Sequence, residues 1–123
     1  MKLQPEINPA LNTVTAYGEG FVEINARRFE VALIVRPEGE VIAWEARQFE
    51  LLAPEHFELI AAHAPDLVVL GTGARQRFPD PSLTASLARA AIGVEVMDTR
   101  AACRTYNILM SEGRKVLAAL LPP

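Results

Sequence analysis

The sequence predicts an α/β fold: a single domain in which an N-terminal antiparallel β-meander leads into alternating helices and strands around a mixed sheet with helices packed on it. Three observations predict it. Residues 13–44 read as short strand-like runs separated by turn residues. From Pro54 onward, helical spacing alternates with short apolar runs, the pattern of crossovers onto a parallel core. Finally, 123 residues, 50% of them hydrophobic and 22% charged, make one domain's worth of chain. A chain of that size buries about two thirds of its surface on folding, enough for a core without disulfide or metal staples.

Taken in order, residues 1–12 read as an irregular arm, because Pro5 and Pro9 block a helix. Thr13–Tyr17, Phe21–Asn25, Arg28–Val35 and Val41–Trp44 read as strands. The turns between them are Gly18-Glu19-Gly20, Asn25-Ala26-Arg27 and Pro37-Glu38-Gly39. In the third run Phe29, Val31, Leu33 and Val35 alternate with Glu30, Ala32 and Ile34, which predicts one strand with a single favoured buried face. Trp44 is expected in the core or at a sheet–helix contact. Pro54 suits the first turn of a helix reaching about His63, with Phe57, Ile60 and Ala61 inward. Leu67–Leu70, running into Gly71-Thr72-Gly73, reads as a strand buried on both faces. Ser82 is expected to cap a helix through Ala91, and Gly93–Met97 forms the next strand. Asp98 and Thr99 offer N-cap chemistry for a helix to about Ser111 that Gly113 ends, and Lys115–Leu121 is read as a last strand. No linker or internal repeat marks a domain boundary.

Composition excludes several function classes. One cysteine cannot make an intramolecular disulfide, and one Cys with two His cannot supply a structural zinc site. The net charge of −3 divides unevenly: residues 1–71 carry eleven acidic and five basic side chains, residues 72–123 four acidic and seven basic. Arg75, Arg77, Arg89, Arg100, Arg104 and Arg114 supply six of those seven, which suits an anion-facing surface or simple complementarity between the halves. The overall acidity argues against nucleic acid as a partner. No apolar run reaches the ~18 residues of a membrane-spanning helix. The N-terminus has neither a signal-peptide core nor the composition of an organelle presequence, so a cytoplasmic location is expected. No motif implies a cofactor or a metal.

Two segments stand out. Gly71, Thr72 and Gly73 end a buried strand where open α/β sheets place ligands, with Arg75 and Arg77 close behind. The run lacks both the dinucleotide fingerprint and the P-loop lysine, so a tight turn at positive φ is the favoured account of it. In the second, Met97–Asn107, helical geometry gathers Ala101, Thr105, Ile108 and Leu109 on one face. Arg100, Arg104, Asn107 and Ser111 fall on the other, with Cys103 at its edge. Arginines one turn apart want anionic partners. Cys103, near a helix N-terminus between arginines, is expected to have a lowered thiol pKa, or to be a small half-buried side chain. Asp98 reads as a cap or a general base, and Tyr106 as a core aromatic with a partnered hydroxyl.

The stretch Met97-Asp98-Thr99 followed by Ala102-Cys103-Arg104-Thr105-Tyr106-Asn107, with Glu112-Gly113-Arg114-Lys115-Val116 after it, resembles a known signature. It is similar to the domain-of-unknown-function family that includes the mitochondrial respiratory complex I assembly factor 3 and its small bacterial and archaeal relatives. Tyr17-Gly18, Trp44 and Leu70-Gly71-Thr72-Gly73 fall where that family places them. The resemblance implies a three-layer domain with a mixed sheet that works through protein contacts, with no established catalysis.

The expectation is therefore a non-enzymatic protein-interaction domain, an assembly or scaffold factor for a respiratory or redox complex. Arg100, Arg104 and Asn107, joined by Arg75, would meet an acidic partner surface. The alternative is a small-molecule or anion site, or an enzyme, built from Gly71, Thr72 and Gly73 with Asp98, Cys103, Tyr106 and Asn107. Self-association through a sheet edge or an apolar helix face is compatible with either.

Overall fold

The structure, a computed structural model, describes residues 11–123, so most of the expected N-terminal arm lies outside the described residues. Two sheets form. Strands β1 (Val14–Gly18), β2 (Phe21–Ile24) and β3 (Arg27–Phe29) make an antiparallel meander. Strands β4 (Leu33–Val35), β5 (Ile42–Ala43), β6 (Leu67–Gly71), β7 (Gly93–Met97) and β8 (Val116–Leu120) make a second sheet in the order β5-β4-β8-β6-β7. Its β8-β6-β7 centre is parallel, and β4 and β5 add antiparallel strands at one side. The mixed α/β architecture is as the sequence predicts. The meander, however, is a sheet of its own rather than an extension of the central one.

That separation corrects the expected strand Arg28–Val35. The chain leaves the meander at Glu30 and enters the central sheet at Leu33, and Val31 between them is 55% exposed. The alternation from Phe29 to Val35 was misleading because β4 is buried on both sides. Ile34 packs with one core cluster, while Leu33 and Val35 pack with the other.

Helices α1 (Pro54–Ala62), α2 (Ala85–Arg89) and α3 (Thr99–Ser111) complete the layers. The chain steps from β6 through α2 to its neighbour β7, then back past β6 through α3 to β8. Right-handed crossovers taken in opposite directions put their helices on opposite faces of the sheet. Accordingly Leu87 of α2 shares a core with Phe57 and Ile60 of α1 and with Val68, Leu70 and Leu117. Ala102, Tyr106 and Met110 of α3 share the other core with Val69, Ala118 and Leu120, and with Val14, Val22 and Ile24 of the meander. Helix α3 thus lies between two sheets.

Local chemistry explains the boundaries. Pro54 opens α1, and His56 Nδ1 accepts the Ala53 N–H at 3.0 Å. Trp44 bridges sheet and helix, edge-on to Phe57 at 5.7 Å and donating its indole N–H to the His56 carbonyl at 3.2 Å. Helix α2 is shorter than the expected Ser82–Ala91. Ser82 does not cap it, because both its N–H and its hydroxyl bond Asp80 Oδ1, at 2.9 and 2.7 Å, in a turn that precedes the helix. Asp98 does cap α3, accepting from the Ala101 N–H at 2.9 Å, and Gly113 at φ 79° ends it.

Candidate functional site

The Gly71-Thr72-Gly73 turn and the start of α3 are stitched to each other. Thr99 Oγ1 accepts the Gly73 N–H at 2.8 Å and donates to the Leu121 carbonyl at 2.6 Å, while the Thr99 N–H donates to the Gly73 carbonyl at 2.9 Å. The Thr72 N–H goes to the Met97 carbonyl at 2.9 Å. Thr72 Oγ1 donates to the Arg75 carbonyl at 2.7 Å and accepts the Arg77 N–H at 3.1 Å. An anion nest requires free backbone N–H groups. Here the Thr72 and Gly73 N–H groups are spent inside the fold, and the turn works as a buckle joining β6, β8 and α3. Gly71 permits that closeness, since a Cβ there would lie 2.9 Å from Thr99 Oγ1 and 3.0 Å from Thr99 Cα. Gly73 supplies φ +101°.

Around α3 the structure corrects the helix phase. The inward residues are Thr99, Ala102, Cys103, Tyr106 and Met110, whereas Ile108, expected inward, is 59% exposed. Burial on two sides, by β6 and β8 below and by the meander above, shifts the apolar face toward the signature residues. Cys103 is wholly buried, not at the edge of a polar stripe. Its thiol is pushed up to about 12, the reverse of the expected lowering. Burial disfavours the thiolate more than the Arg104 charge favours it. Tyr106 is buried too, and its hydroxyl donates to the Asn12 carbonyl at 2.7 Å. Asn107 acts as a strand partner for β1: Oδ1 accepts the Val14 N–H at 2.9 Å and Nδ2 donates to the Val14 carbonyl at 2.8 Å. Arg104 donates to the Tyr17 hydroxyl at 2.8 Å. Arg75, Arg100 and Arg104 stay exposed.

Two clefts are relevant. Thr72 and Gly73 border one of about 350 Å³ together with Phe49, Glu50 and Arg77. Its arginine is already engaged, bonding Glu50 Oε2 at 2.7 Å and lying 4.3 Å over the Phe49 ring, and it holds the Glu50 carboxyl below its usual range. The other cleft, of about 440 Å³, opens at the opposite end of the central sheet, where β4 ends and β6 and β8 begin. Arg36, His63, Arg114 and Lys115 line it over an apolar floor that includes Met110 and Val116. Sequence reading missed this group. Its members are scattered over three separate stretches of the chain, and Arg36 sits in the acidic half.

The model of a family described as protein of unknown function (DUF498/DUF598) matches residues 14–121. The chain belongs to the DUF498/DUF598 family. Among curated relatives, it is 34% identical over 98% of its length to the Bos taurus protein named NADH dehydrogenase [ubiquinone] 1 alpha subcomplex assembly factor 3. It spans 66% of that protein and 60% of its Xenopus tropicalis counterpart. A crystal structure of a Bordetella parapertussis protein is similar at TM-score 0.88 and 46% identity, covering 93% of this chain and 98% of that one. A solution structure from Bordetella pertussis, described as a Mth938-like domain, is similar at TM-score 0.86 and 38% identity, over 99% of this chain and 92% of the other. DUF498/DUF598 membership agrees with the resemblance that the Met97–Asn107 segment carries. Among the described residues, no helix is long and apolar enough to cross a membrane.

Proposed function

We propose that this member of the DUF498/DUF598 family acts as an assembly factor, binding protein subunits of an NADH dehydrogenase without catalysing a reaction on them. The observation that carries the reading is the 34% identity to an assembly factor of NADH dehydrogenase across nearly all of this chain. The fate of the signature side chains supports it. Thr99, Tyr106 and Asn107 spend their polar groups on backbone atoms, Asp98 caps a helix, and the Cys103 thiol is buried in its neutral form. A nucleophile needs access to its substrate and a thiolate-favouring environment, and the buried, neutral Cys103 has neither.

Arg75, Arg100 and Arg104 are among the polar groups that face solvent near the buckle. Gly73 and Thr99, bonded to each other, bring the loop bearing Arg75 beside the helix start bearing Arg100. Planar guanidinium groups so placed suit carboxylates on an acidic partner surface. Tagged protein isolated from native lysate is expected to carry NADH dehydrogenase subunits. The Arg100→Glu/Arg104→Glu variant, with an unchanged circular dichroism spectrum, is expected to lose roughly tenfold or more of them, as paired charges reverse. Full retention by the double variant removes this stripe as the interface. Absence of such subunits from the wild-type sample removes the assembly reading.

A further inference from the structure

We propose that the cleft lined by Arg36, His63, Arg114 and Lys115 is a binding site for a small amphiphilic anion, a carboxylate or phosphate ester carried on an apolar body. The site lies at the far end of the central sheet from the Gly71 buckle and is independent of the assembly reading. Three lines of observation converge on it.

The first is how Arg36 is held. It follows β4 directly, and its backbone carbonyl accepts from Asn12 Nδ2 at 2.8 Å. Its guanidinium is tucked beneath the Pro37–Gly39 turn, so that a Cβ on Gly39 would lie 3.0 Å from Nη2. Nη1 lies 3.4 Å from His63 Nδ1, and Nε is shielded from solvent with no partner among the described residues. A permanently charged group with a shielded, unused donor is costly unless an acceptor completes it. A histidine nitrogen is a weak substitute for a carboxylate, and it can accept only while the ring is neutral.

The second is the company Arg36 keeps. His63 ends α1, while Arg114 and Lys115 follow the glycine that ends α3, so four basic side chains from three stretches of chain line a single cleft. Helix dipoles explain Arg114 and Lys115, since the C-terminus of α3 attracts cations. They do not explain Arg36, which sits at a strand end. Among the described residues, Glu38 is the one acidic side chain lining the cleft. Like charges collected in this way repel one another, and an anion placed among them removes the repulsion.

The third is shape. A volume of about 440 Å³ is in the range of small-molecule sites, and the floor is apolar, with Leu11, Pro65, Met110 and Val116 contributing. Inorganic phosphate would leave that floor wet. A ligand with an anionic head at Arg36 and His63 and an apolar body over Met110 uses both parts of the cleft.

Sodium octanoate and hexyl phosphate are suitable probes, with 1-octanol and inorganic phosphate as controls that each lack one half of the proposed chemistry. Two-dimensional NMR of the full chain follows the Arg36 Nε–H and His63 ring signals during titration. Saturable shifts at both groups are expected with either amphiphile. 1-Octanol and inorganic phosphate should each bind roughly tenfold or more weakly, the loss typical of a missing charge-assisted hydrogen bond or apolar contact. Burial first and the Arg36 charge second hold the His63 ring below its usual value, and its titration midpoint should rise on binding as the anion offsets Arg36. Arg36→Gln should weaken octanoate binding by a similar factor. The exposed Arg114→Gln/Lys115→Gln pair, which leaves the strand end intact, should weaken it too. The proposal is overturned if neither amphiphile gives saturable shifts at Arg36 and His63 at millimolar concentration. It is equally overturned if 1-octanol binds as well as octanoate, or if both sets of variants bind octanoate like the wild type.

Discussion

Asn107→Ala tests whether the signature segment is a structural clasp. The side chain makes two bonds to the Val14 backbone, at 2.9 and 2.8 Å, and joins α3 to the first strand of the meander. Removing it strands one N–H and one carbonyl in a partly buried place, and each such bond is worth about 0.5–1.5 kcal/mol net. The expected loss is therefore about 1–3 kcal/mol. For 123 residues, a specific unfolding entropy near 2.1 cal/mol/K per residue makes each kcal/mol worth about 4 °C in Tm. Thermal unfolding followed by circular dichroism should show a fall of about 4–12 °C, with a matching drop in the urea midpoint and little change in its slope. Asn107→Asp separates hydrogen bonding from packing, since it keeps the shape but turns the donor into an oxygen facing the Val14 carbonyl. It should be at least as destabilising at neutral pH and should recover as the carboxyl protonates in acid. A Tm within 1 °C of wild type for both variants, smaller than the ~4 °C per kcal/mol scale, would refute the clasp.

Two further outcomes follow from the same region. Gly71→Ala places a methyl 2.9 to 3.1 Å from Thr99 Oγ1, Thr99 Cα and Ala102 Cβ. Two of those atoms are fixed to the helix backbone, so α3 must shift at a cost of about 1–3 kcal/mol, read as a lower urea midpoint. Cys103 should resist thiol reagents at pH 8 in the native state and react fully in denaturant, with the time course of absorbance after adding an aromatic disulfide as the measure. Burial raises the folded pKa of Cys103 to about 12 and lifts that of Tyr106 above its usual value, so the unfolded chain releases protons first. Stability should be whole below about pH 9 and decline as the pH rises from there, and urea midpoints across that range would show it. A flat profile would mean that these two groups are not buried as neutral acids.

What could be read from the residues depended on whether the signal was local. Pro54, Asp98 and Gly113 fix helix ends through their own backbone chemistry, and each does so in the structure. Leu67–Leu70 announces a doubly buried strand because no polar residue interrupts it. Trp44 likewise meets α1 as a sheet–helix contact. The failures share one cause, which is burial imposed by distant segments. Ile34 and Leu33 are both buried because β4 has cores on its two sides, so periodicity ran through the break at Val31. Cys103 and Asn107 group with the polar stripe by spacing because nothing near them in sequence indicates that the meander covers them, whereas Tyr106 reads as a core aromatic with a partnered hydroxyl and is one. The Arg36–His63 contact joins positions 27 apart, and no spacing rule connects them.

The position of α3 between two sheets has a dynamic consequence. The meander holds to α3 through the Asn107–Val14 and Arg104–Tyr17 bonds, and Tyr106 ties in the adjoining Asn12. Strands β6 and β8 pair with each other along their whole length at the centre of the other sheet. Proteins open in cooperative units whose free energies differ. Amides of β1–β3 should then exchange with solvent together, through one partial unfolding that costs less than global unfolding, while amides of β6 and β8 exchange with the global event. The residues that carry the family signature would be uncovered in the lesser of the two openings.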